Sequence, residues 1–303
     1  GLASAPGLAK VGGIHVEVDH VTGEAIAVWE APAASIRGLL FVAHGCKHGC
    51  QDFWEASPAC PGCVGLPVEL RIVRAALDRG LAVVAVSSTN RASKCWSVED
   101  ARRVESVIKT VRAALGGFLP LYAFGASSGG SLVMHLPSMG FRLAGIVCQV
   151  QAVPSRLLVD GFPPTIFVQM PRDSRTAQGV EENAAKLRAQ RTRVAQIRVM
   201  PLPIDAQYFA RNTMRRISPA QSAAMAAALA SQSKSLLNVS GYLRADPRRS
   251  RWRAVLRPLS GSDALVADKS PIAELLNVAF AQHEMTADHI DATLDFLLVT
   301  LRR

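Results

Sequence analysis

The sequence predicts an α/β fold with a mostly parallel sheet covered by helices. The first observation is that short, continuous apolar runs alternate with amphipathic segments of ten to twenty residues along most of the chain, a pattern typical of crossover connections between parallel strands. The second is size, because 303 residues can bury a large core. The third is composition, since 49% hydrophobic and 19% charged residues indicate a globular chain.

The strands are predicted first. HVEVDH and EAIAVWEAP form a strand pair joined through the turn at Thr22 and Gly23, which would give an antiparallel edge. The continuous apolar runs that follow are typical of strands buried on both faces. They are RGLLFVAHG, LAVVAVSSTN, LPLYAF, LAGIVCQVQ, PPTIFVQMP and RVAQIRVMP.

The helices are predicted from apolar spacing and from their end signals. Gly80 and Gly116 end the first two, and Ser97 with Asp100 begins the second. In chain order the helices are VGLPVELRIVRAALDRG, SVEDARRVESVIKTVRAALGG, SGGSLVMHLPSM, SRTAQGVEENAAKLRAQR and, with Thr286 as N-cap, TADHIDATLDFLLVTLRR.

The alternation stops between about Pro201 and Pro271. That segment is rich in Ala, Ser and Arg, as in SPAQSAAMAAALASQS, and indicates helices joined by loops. We therefore expect a helical insertion or cap over residues 201–271, which divides the core into residues 1–200 and 272–303.

The net charge is +10, and six arginines lie in LRADPRRSRWRAVLR. Such a cluster predicts either a solvated helix face or an anionic surface, such as a membrane, a polysaccharide or nucleic acid, bound through Arg248, Arg249, Arg251 and Arg253. No motif for specific nucleic-acid recognition accompanies it. The longest apolar runs are too short for a transmembrane segment.

Four of the six cysteines lie within HGCKHGCQDFWEASPACPGC. An even, clustered set favours disulfides and hence an extracellular or lumenal location in the secretory pathway. The alternative is a zinc site, because CxxxC and CxxC resemble ligand spacing and His44 and His48 lie alongside. The chain opens GLASAPGLAKVGG, which has no charged and apolar leader, and its start at glycine indicates a trimmed terminus.

The stretch YAFGASSGGSLVMHL places a Gly-x-Ser-x-Gly turn between a strand and a helix. This context predicts a nucleophile elbow, in which Ser127 is the nucleophile and the backbone N–H of Ser128 lines the oxyanion hole. The alternative is a plain glycine- and serine-rich turn between strand and helix.

With FVAHGC at the end of an earlier strand, the chain resembles the α/β-hydrolase superfamily. The resemblance implies an α/β-hydrolase fold with a helical insertion after the last strand. It implies that the backbone of Cys46 donates the second oxyanion N–H and that His44 holds the loop.

The resemblance also implies the other two members of a triad. Asp173, in FVQMPRDSRT, matches the position of the acid, ahead of Asp160 in LVDGFPP. His283, in AFAQHEMTADHIDATLDFL, matches the position of the base, ahead of His289. The chain order Ser, Asp, His is that of α/β-hydrolases.

HGC together with a later CW is similar to secreted polyhydroxybutyrate-depolymerase-like and feruloyl-esterase-like hydrolases, and to uncharacterised plant and algal α/β-hydrolase proteins. That similarity implies a Cys46–Cys95 disulfide. Cys50, Cys60 and Cys63 would then supply one further bridge, with its pairing open. The family has no counterpart for the long segment before His283, and a lid would come from there.

These features predict a serine hydrolase that cleaves a small-molecule or polymer carboxylic ester through an acyl-enzyme, with no metal or organic cofactor. Phe53 and Trp54 would line the substrate pocket or anchor their loop. Two alternatives stay open. One is a non-catalytic binding protein with the same fold. The other is a protein that binds anionic surfaces through the Arg-rich insertion.

Overall fold

The computed structural model describes residues 13–19, 23–214, 216–231, 236–259 and 269–299. Within them, eight strands form one sheet in the order β1-β2-β4-β3-β5-β6-β7-β8. The strands are β1 (Ile14–Val18), β2 (Ala25–Glu30), β3 (Gly38–Ala43), β4 (Leu81–Val86), β5 (Leu121–Ala126), β6 (Gly145–Gln149), β7 (Thr165–Gln169) and β8 (Val194–Arg198).

The predicted antiparallel edge is confirmed. β1 pairs antiparallel with β2, and β2 pairs antiparallel with β4. The pairs that run from β4 to β8 are all parallel. Of the turn between β1 and β2, Thr22 lies outside the described residues, whereas Gly23 has a φ of 70°, a left-handed conformation that glycine adopts without steric cost.

The described helices cover both faces of this sheet. They are α1 (Pro67–Asp78), α2 (Ala101–Ala114), α3 (Ser128–His135), α4 (Ser174–Ala189), α5 (Tyr208–Asn212), α6 (Pro219–Ala230), α7 (Trp252–Leu256), α8 (Pro271–Phe280) and α9 (Ile290–Leu298). None of them is long and apolar enough to cross a membrane.

Two cores lie on opposite faces of the sheet. Neighbouring residues of a strand point to opposite faces, so Leu40 of β3 packs in one core with α1 and α9, and Phe41 packs in the other with α2, α3 and α4. All six residues of β3 are buried. The continuous apolar pattern of the central strands therefore follows from cover on both sides, as the predicted fold class requires.

A third core lies in the segment after β8. Phe209, Leu229, Trp252 and Leu276 bring α5, α6, α7 and α8 together around it. The described residues of this segment form helices joined by loops.

Two features of the C-terminal part differ from the sequence expectation. Helix α8, which begins after the N-cap Ser270, was not anticipated. Helix α9 begins at Ile290 and not after Thr286. The backbone N–H and carbonyl of Thr286 both form hydrogen bonds with the side chain of Gln149, so Thr286 does not start the helix.

Candidate active site

Ser127 lies on the sharp turn between β5 and α3. Its backbone has φ 53° and ψ −119°, a conformation costly for a residue with a side chain and typical of functional sites. The turn is held on both sides, because the Ser127 N–H donates to the carbonyl of Gln149 (3.0 Å) and the Ser127 carbonyl accepts from the N–H of Ser131 (2.9 Å). Gly129 lets this turn touch the end of β3, since a Cβ there would overlap the carbonyl oxygen of Ala43.

His283 lies in the loop between α8 and α9, far from Ser127 in sequence. Its Nε2 is 2.8 Å from Ser127 Oγ, and its Nδ1 is 2.6 Å from Asp173 Oδ2. A neutral ring with its proton on Nδ1 donates to Asp173 and accepts from the Ser127 hydroxyl. The structure therefore brings together the three side chains that the sequence nominated.

Asp173 has two roles in the structure. It is the N-cap of α4, where Oδ1 accepts from the N–H of Thr176 (3.3 Å), while Oδ2 faces His283. Burial opposes the charged carboxyl, but the hydrogen bonds from Thr176 and His283 outweigh it and hold the pKa of Asp173 below its usual value. These hydrogen bonds therefore favour the ionised form of the Asp173 carboxyl.

The two rival residues lie elsewhere. Asp160 Oδ1 accepts from Gln190 Nε2 at 3.2 Å, and Asp160 makes no hydrogen bond to the histidine loop among the described residues. His289 is exposed and stands at the N-cap of α9.

Three features decide the fold type. An elbow follows a central parallel strand, an acid follows a later strand, and a histidine lies in the loop before the last helix. The chain has the α/β-hydrolase fold.

The loop after β3 runs beside the elbow. Cys46 Sγ lies 3.4 Å from Ser128 Oγ, so the two residues predicted to donate to the oxyanion are neighbours. A disulfide joins Cys46 to Cys95, with their Cα atoms 4.2 Å apart. This bond ties the loop after β3 to the loop after β4.

The second disulfide joins Cys60 and Cys63. Cys50, a candidate for this bridge, is instead a buried free thiol. Its N–H donates to Ser87 Oγ (3.0 Å) and burial raises the pKa of its thiol to about 11. Because three of the four clustered cysteines are in disulfides and only the Cys50 thiol is free, CxxxC and CxxC offer no set of thiolates to zinc.

His44 is buried beneath the loop. Its Nδ1 is 2.7 Å from the carbonyl of Gly45, and its Nε2 accepts from the N–H of Ser88 (3.3 Å). The His44 carbonyl accepts from Trp96 Nε1 (2.8 Å). Burial lowers the pKa of His44 to about 4. A neutral ring with both nitrogens engaged holds the loop in place.

The residues that hold the His283 loop gave no signal in the sequence. The side-chain amide of Gln149 accepts from the N–H of Thr286 and donates to its carbonyl, each at 2.9 Å. Gln149 thus touches the nucleophile turn through its backbone and the histidine loop through its side chain. A single glutamine at the end of a strand has no recognisable motif.

Arg248 holds the same loop from the other side. Its Nη2 donates to the carbonyl of His283 (2.7 Å) and to Glu284 Oε2 (2.8 Å), which also accepts from Asn277 Nδ2 (2.9 Å). Of the other nominated arginines, Arg253 stacks on Trp252. Arg249 and Arg251 are exposed.

A cavity of about 430 Å³ opens at Ser127 and His283. Its apolar lining includes Leu66, Val150, Trp252 and Met285. Phe53 and Trp54 are not among its lining residues; both are buried, and Trp54 Nε1 donates to Glu30 (2.8 Å). These two aromatic residues anchor their loop.

Acidic side chains and a second histidine, His48, also line this cavity. The Nδ1 of His48 is 3.1 Å from Asp52 Oδ2 and 4.0 Å from Glu69 Oε1. Burial opposes the charged ring, but the hydrogen bond to Asp52 and the charges of Glu69 and Asp52 raise the pKa of His48 to about 9. Burial and the nearby charge of Glu274 raise the pKa of Glu69 well above its usual value. Burial also raises the pKa of Glu274, to about 7.

No protein-family model matches the sequence, and no curated protein matches it significantly. Among solved structures, the chain is similar to a thermostable esterase (15% identity, TM-score 0.43), over 62% of this chain and 54% of that chain. It is also similar to a thermophilic esterase from Thermogutta terrifontis, with 16% identity and a TM-score of 0.45, over 62% of this chain and 81% of that chain. A third similar structure is an α/β serine hydrolase without a lid from Xanthomonas campestris, with 14% identity and a TM-score of 0.44, over 64% of this chain and 87% of that chain. The match spans about half the length of the first of these. Such likenesses decide nothing about activity, which depends on the side chains of the site.

Proposed function

We propose that the protein is a serine hydrolase that cleaves carboxylic esters through Ser127, His283 and Asp173. The observation that carries this proposal is the unbroken chain of hydrogen bonds from Ser127 Oγ through His283 to Asp173, at 2.8 and 2.6 Å. Ser127, at one end of this chain of hydrogen bonds, lines a cavity, so an ester can reach the Ser127 hydroxyl. A structural network would not need the strained backbone of Ser127.

In the first half of the reaction, Ser127 Oγ attacks the acyl carbonyl while His283 Nε2 takes its proton. Asp173 accepts the hydrogen bond from Nδ1 and stabilises the imidazolium that forms. His283 then gives the proton to the leaving alcohol, and an acyl-enzyme on Ser127 remains.

The oxyanion of the tetrahedral intermediate is held by backbone N–H groups of Ser128 and Cys46. Ser128 is the first residue of α3, where the helix dipole also favours negative charge. One donor of this kind contributes about 3–4 kcal/mol to transition-state stabilisation. The Cys46–Cys95 disulfide and the buried His44 hold the Cys46 backbone beside the elbow.

In the second half, His283 removes a proton from water, which attacks the acyl-enzyme and releases the acid. This sequence uses only the nucleophile, the acid–base pair and the backbone donors.

Residues 201–271 are proposed as a cap between the core segments 1–200 and 272–303. Pro247, Arg248 and Trp252 from this stretch line the cavity, which supports a role in admitting the substrate. The two disulfides support a secreted or lumenal location.

The test is burst kinetics with p-nitrophenyl butyrate. The wild-type protein should release one equivalent of p-nitrophenol rapidly before the steady state, because the acyl-enzyme accumulates. Ser127→Ala should lose the burst and about 10⁴-fold or more of kcat. Ser138→Ala, an exposed serine bonded only to the turn around His135, is the control and should behave as wild type. A burst that persists in Ser127→Ala would refute the proposal.

A further inference from the structure

Carboxyl groups make up part of the cavity wall beside the nucleophile. Glu69, Glu274 and Glu284 line the cavity together with the amide of Asn277. Burying carboxyl groups costs free energy unless something binds them. A pocket for a plain aliphatic ester would be expected to be apolar at these positions.

Glu69 and Glu274 come from different helices and meet at the cavity. Glu69 lies in the first turn of α1 and Glu274 in the first turn of α8, and their carboxyl groups contact each other. Their side chains are almost fully buried, with relative exposures of 2% and 7%. Two carboxyl groups in contact share a proton, so the pair both donates and accepts hydrogen bonds.

Helix capping explains only part of this pair. Glu274 Oε2 accepts from the N–H of Val68 (3.3 Å), which satisfies the start of α1. Glu69 Oε2 is buried, and apart from the contact with the Glu274 carboxyl no group of the described residues donates to it. Glu69 is therefore not needed for the cap and has capacity for a further hydrogen bond at the cavity.

Two other charged side chains of the cavity wall, His48 and Glu284, have oppositely charged partners within the protein. His48 contacts Asp52 at 3.1 Å, and Arg248 contacts Glu284 at 2.8 Å. Only the proton-sharing pair Glu69–Glu274 has no cation as close as these among the described residues, since His48 is 4.0 Å from Glu69. A neutral group that both donates and accepts suits this wall better than a permanent cation.

From this arrangement, and resting on the proposed function, we infer that the substrate is an ester of a polyhydroxylated alcohol, such as glycerol or a sugar. The hydroxyl groups of the substrate bind to Glu69 and Glu274. Leu66, Trp252 and Met285 line the same cavity and contact the apolar part of the substrate.

The experiment compares three butyrate esters with one acyl group: ethyl butyrate, glyceryl monobutyrate and butyrylcholine. The expected result is a kcat/KM for the glyceryl ester at least tenfold above that for the ethyl ester, and above that for the choline ester. A hydrogen bond to a buried carboxyl group typically gives a difference of this size. Equal values for the glyceryl and ethyl esters, or a preference for butyrylcholine, would overturn the inference.

The variants Glu69→Gln and Glu274→Gln locate the preference. Each should lower the glyceryl-to-ethyl ratio by about tenfold, and Glu69→Gln spares the hydrogen bond to Val68 that Glu274 accepts. Glu181→Gln, an exposed carboxylate paired with Arg198, is the matched control and should keep the wild-type ratio. A ratio unchanged in both cavity variants would contradict the role of the pair.

Binding to the Ser127→Ala variant separates this inference from the proposed function. Calorimetric titration with the same three esters needs no hydrolysis. Tighter binding of the glyceryl ester by about tenfold supports the inference even where no ester is cleaved, whereas equal binding of all three refutes it.

Discussion

The nucleophile and the histidine of the candidate site are held in different ways. Ser127 is fixed by backbone hydrogen bonds between adjacent strand ends and by the close approach of α3 to the end of β3. His283 is fixed by side chains from distant parts of the chain, namely Gln149 on β6 and Arg248 in the Arg-rich segment.

This difference shows that the fold holds the serine through its backbone and the histidine through side chains. We expect the strand ends to give a rigid position to the Ser127 hydroxyl and the proposed oxyanion donors, and to tolerate few substitutions. The histidine loop depends on separate hydrogen bonds, so its position can be loosened in steps. Three predictions test this difference, from the largest expected effect to the smallest, and a fourth concerns the buried charges at the cavity.

Gly129→Ala should have the largest effect. The added Cβ overlaps the backbone carbonyl of Ala43, so the loop after β3 must move away from the elbow and misplace the oxyanion donors. We expect kcat to fall about 10²–10³-fold, together with a loss of stability of a few kcal/mol. Steady-state kinetics and urea unfolding measure both. Ser138→Ala serves as the control, and near-wild-type kcat in Gly129→Ala would show that the strand ends are not rigid.

Gln149→Leu should loosen the histidine loop. It removes both hydrogen bonds to Thr286 but keeps the backbone bond to Ser127. We expect kcat to fall about 10–100-fold, because small misplacements of a reacting group have effects of this size.

The matched control is Gln169→Leu, at the end of the neighbouring strand β7. Gln169 is also buried, and its side chain bonds Glu181 instead of the loop. Both variants should lose stability by about 1–3 kcal/mol, but only Gln149→Leu should lose activity. Equal loss of kcat in both would mean that Gln149 acts through stability alone.

Arg248→Ala should have a smaller effect on activity. Arg248 is partly exposed and shares the loop with Gln149, so its loss leaves one support in place. We expect kcat to fall about tenfold, with partial recovery in Arg248→Lys, which keeps one donor. Arg249→Ala, its exposed neighbour, should be near wild type. An equal effect of the two alanine variants would indicate general charge loss.

The shifted pKa values of His44, His48 and Glu274 predict how the stability of the fold depends on pH. Folding raises the pKa of His48 from 6.5 to about 9 and that of Glu274 from 4.5 to about 7. The folded state therefore binds more protons than the unfolded state, so the free energy of unfolding should fall as pH rises, through Glu274 from about 4.5 to 7 and through His48 from about 6.5 to 9. His44, with its pKa lowered to about 4, has the opposite effect, and the stability that it contributes is lost as pH falls from 6.5 to 4.

Urea unfolding at pH 5, 6.5, 8 and 9 tests these signs. Relative to the wild type, Glu274→Gln should lack the Glu274 contribution between pH 5 and about 7 and should keep the decline up to pH 9, which His48 causes. A free energy of unfolding that rises from pH 6.5 to 9 in the wild type would contradict the raised pKa of His48.

The parts of the site that the sequence predicts are those carried by local patterns. The turn at Ser127 is contiguous with the strand and helix that create it, so it is visible in a short window. Asp173 and His283 were predicted from the resemblance to α/β-hydrolases, since an aspartate at a helix start has no catalytic pattern of its own. Buried strands produce continuous apolar runs wherever both faces are covered. The fold class follows from these runs and from their alternation with helices.

The missed parts depend on contacts between distant residues. Gln149 bonds Thr286 across 137 positions, and Arg248 reaches His283 across 35. Neither partner has a local pattern that marks the bond. The late start of α9 has the same cause, because Thr286 looks like an N-cap until Gln149 occupies its backbone. Glu69 and Glu274 resemble ordinary acids of a helix first turn, which the helix dipole favours.

The most direct test of the central claim is labelling with a fluorophosphonate probe, followed by tandem mass spectrometry of the peptide that contains Ser127 and Ser128. The account predicts one adduct, on Ser127, which is absent in Ser127→Ala and forms much more slowly in His283→Ala than in the His289→Ala control. A folded wild-type protein that takes no label, or that takes it on Ser128, would contradict the account.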